Sequence, residues 1–147
     1  MKFLYDLFMK NNNTIQKIGY CDIQFAYNNT NQYIIINTLP STEQDYLIKN
    51  TITSIQEEAI INKYLKENIE INIIVYGKNA TDETIITKSQ QLYSLGFINI
   101  FIYVGGLFEW ALLQEIYDFE NFPTTTKLTD PLRFKSVNKF NVKRITY

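Results

Sequence analysis

The sequence contains no histidine, and this absence restricts its chemistry more than any other feature of its composition. Ser–His and Cys–His nucleophile pairs, imidazole acid–base catalysis and the usual zinc sites all require histidine. The single cysteine, Cys21, excludes an internal disulfide and a cysteine-rich metal cluster, in agreement with a reducing compartment. We therefore expect neither a metal nor a cofactor.

Long apolar runs and targeting segments are also missing. No stretch reaches the roughly 18 apolar residues that a membrane span needs. The first ten residues include Asp6 and no small-residue cleavage site, so they do not have the pattern of a secretory signal. The 147 residues suffice for one domain with a sizeable core. We expect a single globular domain in the cytoplasm, without membrane association.

Charge is nearly balanced over the whole chain but is unevenly placed. From residue 127 onward there are six basic residues against Asp130, so this tail carries about +5 and the rest of the chain about −6. The basic residues are Lys127, Arg133, Lys135, Lys139, Lys143 and Arg144. Such asymmetry is compatible with an arm for nucleic acid or for an acidic partner. The favoured interpretation is a solvated extension on its own acidic domain, since no aromatic-rich basic sheet accompanies it.

Strand-like and helix-like segments alternate along the chain. Continuous β-branched runs predict buried strands at 33–37, 71–76 and 100–104, and an extended piece surrounds Thr51–Thr53. Helical spacing predicts helices at 55–68, opened by Ser54, at 84–95, with Gly96 as C-cap, and at 107–117. With crossovers of this length, the predicted fold class is α/β: a three-layer α/β/α sandwich with a central, mostly parallel sheet.

The apolar positions of two helices indicate which faces should pack. Those of the first helix are Ile55, Ala59, Ile60, Tyr64 and Leu65, and those of the second are Ile85, Ile86, Leu92 and Leu95. Nearer the amino terminus, Asp22 is a candidate N-cap of a short helix that ends at Tyr27. Cys21 precedes that helix in an apolar context, so we expect a half-buried structural thiol.

The loop from Gly77 to Glu83 is the candidate site, because it joins a buried strand to a helix. Ligands of open α/β domains bind outside the carboxyl ends of strands, near helix N-termini. The loop consists of Gly77, Lys78, Asn79, Ala80, Thr81, Asp82 and Glu83. Its ionisable side chains are those of Lys78, Asp82 and Glu83. The two acids are expected to cap the following helix; a retained small-ligand pocket, with Lys78 and Thr81 as polar contacts, is the alternative.

The order of these segments resembles the second half of a rhodanese domain. The likeness runs from about Ile34 to Trp110, and its most specific part is the Gly96-Phe97 pair, a strand, and Gly105-Gly106 followed by Trp110. Further phrases resemble the rhodanese-like proteins of large nucleocytoplasmic DNA viruses; these are Ile36–Pro40, Leu47–Ile52, Tyr76–Asn79 and Phe122–Thr125. The resemblance implies a rhodanese-like fold, a viral origin, and work in the host cytoplasm or in the virion.

The family's catalytic residues are absent at the matching positions. Gly77 stands where an active rhodanese has its nucleophilic cysteine, and without a thiolate no persulfide can form. Asp82 or Glu83 falls where related phosphatases and arsenate reductases have an anion-binding arginine. The family's Asp-x-Arg element becomes Asn37 and Leu39. The resemblance therefore implies that residues 77–83 are the remnant of a catalytic loop. Phe108 and Trp110 would lie beside it, packed in the core rather than stacking a ligand.

The resulting organisation has three parts: an amino-terminal amphipathic segment packed on the domain, 1–20; a rhodanese-like domain, 21–120; and a basic C-terminal extension, 121–147, with room for one short helix or strand. In the first part, Phe3, Leu4, Leu7 and Phe8 have helical spacing. They could also dock a partner or mediate self-association.

Two functions remain open at this stage. The favoured hypothesis is an inactive rhodanese-like protein that acts as a protein-interaction or structural module, with a viral protein as partner. The alternative is a sulfurtransferase-like or phosphatase-like enzyme, or a small-ligand binder, that uses the remaining loop. Nucleic-acid binding is expected at most weakly, through the basic tail.

Overall fold

The computed structural model describes residues 15–127 and 130–140. Five strands form one sheet: β1 (Ile15–Ile18), β2 (Tyr33–Asn37), β3 (Thr51–Ile52), β4 (Asn72–Tyr76) and β5 (Ile100–Tyr103). All pairs are parallel, in the order β1-β5-β4-β2-β3. Four α-helices cover the faces of the sheet: α1 (Tyr20–Tyr27), α2 (Ser54–Glu67) and α3 (Thr84–Leu95), which each connect two strands, and α4 (Gly106–Ile116), which follows β5. The predicted fold class is confirmed.

The two faces of the sheet bury different kinds of side chain. On one face, α1 and α4 cover an aromatic cluster that includes Tyr27, Tyr76 and Trp110. On the other face, α2 and α3 cover a mainly aliphatic cluster that includes Ile73 and Val75. Because side chains alternate along a strand, a buried central strand must be apolar at every position. This explains why unbroken apolar runs mark β2, β4 and β5.

Several elements agree closely with those predicted from the sequence. Helix α3 spans Thr84–Leu95 as predicted, and Gly96 ends it in the left-handed conformation, with φ of 114°. The isolated pairing of Ile48 with Thr124 and a 3₁₀ helix at Pro131–Phe134 supply the regular structure expected in the C-terminal extension. The predicted helix around Phe3–Phe8 lies outside the described residues.

Other predictions need correction. Strand β1 was not predicted, yet it pairs with β5 at the edge of the sheet. Helix α1 begins at Tyr20 after Gly19, so Asp22 is not its N-cap; instead Asp22 Oδ2 accepts the Gly19 N–H at 3.1 Å. In α2, Ile55 is 91% exposed, and Ile61 is the residue buried against the sheet. A helix with sparse apolar residues leaves the orientation of its packed face ambiguous in the sequence.

Two further helix residues face away from the core. Ala59 of α2 is exposed, and Leu95 in the last turn of α3 is half exposed, whereas Ile85 and Leu92 pack as expected. Within the described ranges, no helix is long and apolar enough to cross a membrane.

Candidate functional site

The loop between β4 and α3 lies at the carboxyl edge of the sheet. Strand β4 is the middle strand, with β5 and β2 on its two sides, so the loop is flanked by the ends of both neighbours. Gly77 is buried directly after the strand, and α3 begins seven residues later. The topology therefore places residues 77–83 where α/β domains commonly hold ligands.

Gly77 has no room for a side chain as the loop stands. A Cβ atom at this position would overlap Asp82 Oδ2 and would lie 2.9 Å from Thr38 Oγ1. Both contacts are with side-chain atoms, so substitution of a neighbour could relieve them. The Asp82 carboxylate thus occupies the space that a nucleophilic side chain at residue 77 would need.

The Asp82 carboxylate is held by donors from both ends of the loop. Its Oδ2 accepts the Lys78 N–H at 3.0 Å, and its Oδ1 accepts the Thr84 N–H at 3.0 Å and the Thr84 hydroxyl at 2.5 Å. Partial burial raises the pKa of this carboxyl, but the hydrogen bonds from Lys78 and Thr84 lower it more, so the pKa lies below its usual value. Asp82 is therefore an internal anion at the start of α3.

Glu83 does not share this role. It occupies the N-cap position of α3, but its side chain makes no capping hydrogen bond and is exposed. The expectation that both acids cap the helix is thus correct for Asp82 and wrong for Glu83. Ala80 is also exposed, at the outer turn of the loop.

Lys78 is directed to a partner outside the loop. Its Nζ forms an ion pair with Glu43 at 3.0 Å, and its side chain is 37% exposed. Such a pair at the surface contributes at most about 1 kcal/mol. Its ammonium group is available to solvent, although Glu43 neutralises part of its charge.

Asn79 and Thr81 connect the loop to the C-terminal extension. Asn79 is buried; its Nδ2 donates to the Phe134 carbonyl at 2.9 Å, and its Oδ1 accepts from the Thr81 N–H and hydroxyl. The Thr81 hydroxyl also lies 3.2 Å from Ser136 Oγ. Phe134 is fully buried and stacks on Tyr46, with ring centroids 5.6 Å apart. Residues 134–136 of the extension therefore pack against the loop.

The turn from β5 into α4 packs against the same loop through backbone atoms. The Leu107 N–H donates to the Gly77 carbonyl at 3.0 Å, and the Phe108 N–H donates to the Lys78 carbonyl at 2.8 Å. Gly106 has a φ of 66°, and a Cβ there would lie 2.6 Å from the Gly77 carbonyl oxygen. Only glycine fits both requirements.

A pocket of about 400 Å³ opens beside the loop. The polar part of its lining includes Lys78, Thr81, Asp82 and Lys139. One carboxylate and two lysines thus face the same space. No group of three potential metal ligands among His, Cys, Asp and Glu occurs in the part of the chain that the structure describes.

Solved structures share this architecture, although neither a protein-family model nor a curated protein matches the sequence. A protein of Bacillus halodurans superimposes with a TM-score of 0.54 at 15% identity, over 74% of this chain and 79% of its own. A protein of Lactobacillus plantarum gives 0.51 at 14% identity, over 78% and 95%. A thiosulfate sulfurtransferase of Pseudomonas aeruginosa gives 0.52 at 18% identity, over 70% of this chain and 20% of its own. The chain has a rhodanese-like fold.

The two altered positions at the end of β2, Asn37 and Leu39, have structural roles in this rhodanese-like fold. Asn37 is buried, and its Oδ1 accepts the Leu39 N–H at 3.0 Å. Asn37 and Gln44 exchange two amide hydrogen bonds, of 3.0 and 2.9 Å. Leu39 is buried in the aromatic cluster. Neither position supplies a cation to the loop. The role of Gln44 was not predicted from the sequence, because no local pattern indicates an amide pair between residues seven positions apart.

The aromatic residues of α4 have different environments. Trp110 is fully buried; its ring contacts Tyr27, Tyr103 and Phe122 edge-on, and its Nε1 donates to the Pro123 carbonyl at 3.3 Å. The expected core role is confirmed for Trp110. Phe108 is partly buried against the same cluster.

Cys21 requires a correction. It lies in the first turn of α1, and its side chain is exposed, so the half-buried structural thiol predicted from the sequence is wrong. The apolar side chains of this helix, Ile23, Ala26 and Tyr27, lie on its other face. Cys21 does not contribute to the lining of the pocket at the loop.

Proposed function

We propose that this chain is a catalytically silent rhodanese-like protein that acts as a protein-interaction or structural module. The observation that carries the proposal is the Asp82 carboxylate beside Gly77. A sulfurtransferase of this fold needs a thiolate whose negative charge is stabilised by loop N–H groups. Here residue 77 has no sulfur, and the Lys78 N–H is already bonded to an anion of the chain itself.

The sequence resemblance also supports a proposal for the location and the partner of this module. We place it in the cytoplasm of a virus-infected cell or in the virus particle, with another viral protein or a further copy of itself as its partner. Co-purification from infected cells, followed by reconstitution with the purified partner, tests this part of the proposal.

The first test of silence is an activity assay. We expect wild-type protein and the Cys21→Ser variant to show the same background in assays of sulfur transfer from thiosulfate, arsenate reduction and phosphatase activity. Cys21→Ser is the matched control, since it removes the only thiol of the chain. Robust turnover by the wild-type protein in any of these assays would sink the proposal.

The second test rebuilds the nucleophile. In a Cys21→Ser background, Gly77→Cys alone should remain unreactive, because Asp82 Oδ2 occupies the space of the new Cβ and repels a thiolate. Adding Asp82→Ala should allow the introduced thiolate to attack the outer sulfur of thiosulfate, breaking its S–S bond and releasing sulfite. Intact mass spectrometry would show the gain of one sulfur atom.

The outcomes of this series distinguish the effect of the Asp82 carboxylate from that of the hydrogen-bond donor geometry of the loop. A reactive Gly77→Cys protein that retains Asp82 would show that the carboxylate does not block the site. An unreactive double variant would show that the loop lacks the donor geometry even without Asp82. Either result overturns the role assigned to the carboxylate.

A second candidate function, binding of a small anion, is favoured by the pocket beside the loop. Lys78 and Lys139 both line it, but so does Asp82, and Lys78 is already paired with Glu43. Thermal unfolding in sulfate or phosphate, compared with chloride at equal ionic strength, tests this function. Sulfate and phosphate also stabilise folded proteins without binding a site, so the comparison is between wild type and Lys139→Gln. A larger stabilisation of the wild-type protein would support this function, whereas equal stabilisation of both proteins would contradict it.

A further inference from the structure

An exposed acidic and apolar surface lies at the end of α4. Ile116 is 70% exposed, Tyr117 65% and Phe119 38%. They alternate with Glu115, Asp118 and Glu120, all of which are exposed. We name residues 115–120 the acidic patch. Large apolar side chains exposed together between charges are typical of a contact surface rather than of a solvated helix end.

The end of the chain has the opposite charge and a similar apolar content. Beyond Phe134, residues 135–140 form neither helix nor strand, and among them Val137 is 81% exposed and Phe140 85% exposed. Lys135 and Lys139 alternate with them, and the sequence continues with Lys143 and Arg144. We name residues 135–147 the basic tail. Its composition complements the acidic patch in both charge and apolar side chains.

The described part of the tail is held away from the patch of its own chain. The Ser136–Thr81 contact holds the start of the tail at the loop, and Val137 and Lys139 line the pocket there. Helix α4 begins against the same loop and runs 11 residues to Ile116. At 1.5 Å per residue, its end lies about 16 Å further along the helix axis. The tail and the patch of one copy therefore start from opposite ends of α4.

We propose that this protein self-associates, with the basic tail of one copy docked on the acidic patch of another. If each copy gives its tail to the other, the contact is repeated around a two-fold axis and closes as a dimer. The inference deepens the proposed function, because it identifies a second copy as a partner of the interaction module and rests on that module binding protein. It does not depend on catalytic silence.

The test uses the full-length protein and two matched charge reversals. Lys139→Glu/Lys143→Glu reverses the tail, and Glu115→Lys/Glu120→Lys reverses the patch. Asp118 is left unchanged, because its carboxylate accepts the Asn121 N–H at 2.6 Å. The control is Glu58→Lys/Glu67→Lys, which makes the same charge change on exposed residues of α2, on the opposite face of the sheet.

We expect sedimentation velocity to show concentration-dependent association of the wild-type protein that weakens at least tenfold between low and high salt. Each reversed variant should be monomeric, their equimolar mixture should associate again, and the α2 control should behave as wild type. Circular dichroism checks that each variant is folded, and the salt series on wild-type protein needs no variant.

A wild-type protein that stays monomeric at low salt would overturn the inference, including the case in which each tail binds its own patch. Association that survives both reversals, or that the mixture fails to restore, would overturn it as well. In either case an inert protein in the sulfur-transfer assay would still support catalytic silence, so failure of this inference and failure of the proposed function are distinguishable.

Discussion

Gly77 and Gly106 are two buried glycines that follow adjacent strands and face each other at the carboxyl edge of the sheet, but they are glycines for different reasons. At Gly77 a Cβ would meet side-chain oxygens, those of Asp82 and Thr38. At Gly106 it would meet backbone atoms, the Gly77 carbonyl oxygen at 2.6 Å and the Asn79 nitrogen at 3.0 Å, and φ is 66°.

Glycine is thus a structural requirement at residue 106, whereas at residue 77 the need for glycine depends on neighbouring side chains that can be substituted. Backbone cannot move away from Gly106 without displacing the loop, whereas the Asp82 side chain can be substituted. The turn at Gly106 is thus part of the framework that holds the loop, while Gly77 and Asp82 form a compatible pair. The carboxylate fills the room that a nucleophile at residue 77 would need.

The largest effect is expected for Gly106→Ala. The positive φ costs an alanine about 1–2 kcal/mol, and the clash with the Gly77 carbonyl adds to it, for a total loss of about 3 kcal/mol or more in unfolding free energy. Urea denaturation measures the loss. Combining it with Asp82→Ala should not reduce the effect; a rescue would show that the two glycines are constrained by the same atoms.

Gly77→Ala should have an intermediate effect that depends on its neighbour. We expect a loss of about 2 kcal/mol in the wild-type background, because the methyl group displaces the carboxylate from the Lys78 N–H. In an Asp82→Ala background the loss should fall to about 1 kcal/mol, since the closer of the two oxygens is gone and only the Thr38 hydroxyl, 2.9 Å away, must shift. A double-mutant cycle gives the coupling directly. Additive losses would contradict the side-chain origin of the constraint.

The smallest effect is expected for Asp82→Asn, and it should depend on pH. Loss of the charge–dipole and charge-assisted contacts should cost about 1 kcal/mol at pH 7. The folded-state pKa of Asp82 lies below the ordinary value of 3.8, so its charged form stabilises the fold above that pH, and this stabilisation is lost as pH falls through the folded pKa. The difference between wild type and variant should therefore be constant from about pH 7 to 5 and shrink below about pH 4.

Glu83→Gln is the matched control for this measurement. It removes the neighbouring charge from a side chain that makes no capping bond. At pH 7 we expect it to cost much less unfolding free energy than Asp82→Asn, because no hydrogen bond of the loop is lost. Equal pH dependence in both variants would mean that the net charge of the loop, rather than the bonds of Asp82, determines the effect.

The sequence predicted the strands and helices that are specified by the residues of their own segment. Strands β2 and β4 are buried on both faces, so each is an unbroken apolar run, and Gly96 marks the end of α3 with its own conformational preference. Strand β1 was missed because it lies at the sheet edge, where Gln16 and Lys17 are both exposed, so that no apolar pattern remains.

The position of the candidate site was predicted from the sequence, but the contacts of its side chains were not. Residues 77–83 were identified by position, and the absence of a cysteine at residue 77 could be read directly. Asp82 accepts a hydrogen bond from the Lys78 N–H, Glu83 makes no capping bond, and Asn79 bonds to the Phe134 carbonyl. The two bonds join residues that are four and 55 positions apart in the sequence. Such contacts leave no periodic signal.

By itself, the sequence determined the buried strands β2, β4 and β5, the helices α2, α3 and α4, the place of the loop and the absence of a cysteine at residue 77, because burial, backbone preference and side-chain identity are local properties. Only the tertiary structure decided what occupies the space beside residue 77. The Asp82 hydrogen bonds form only when the loop turns back on itself, and the contacts at Gly106 and Phe134 form only where segments distant in sequence meet. Neither kind of contact leaves a periodic pattern along the chain.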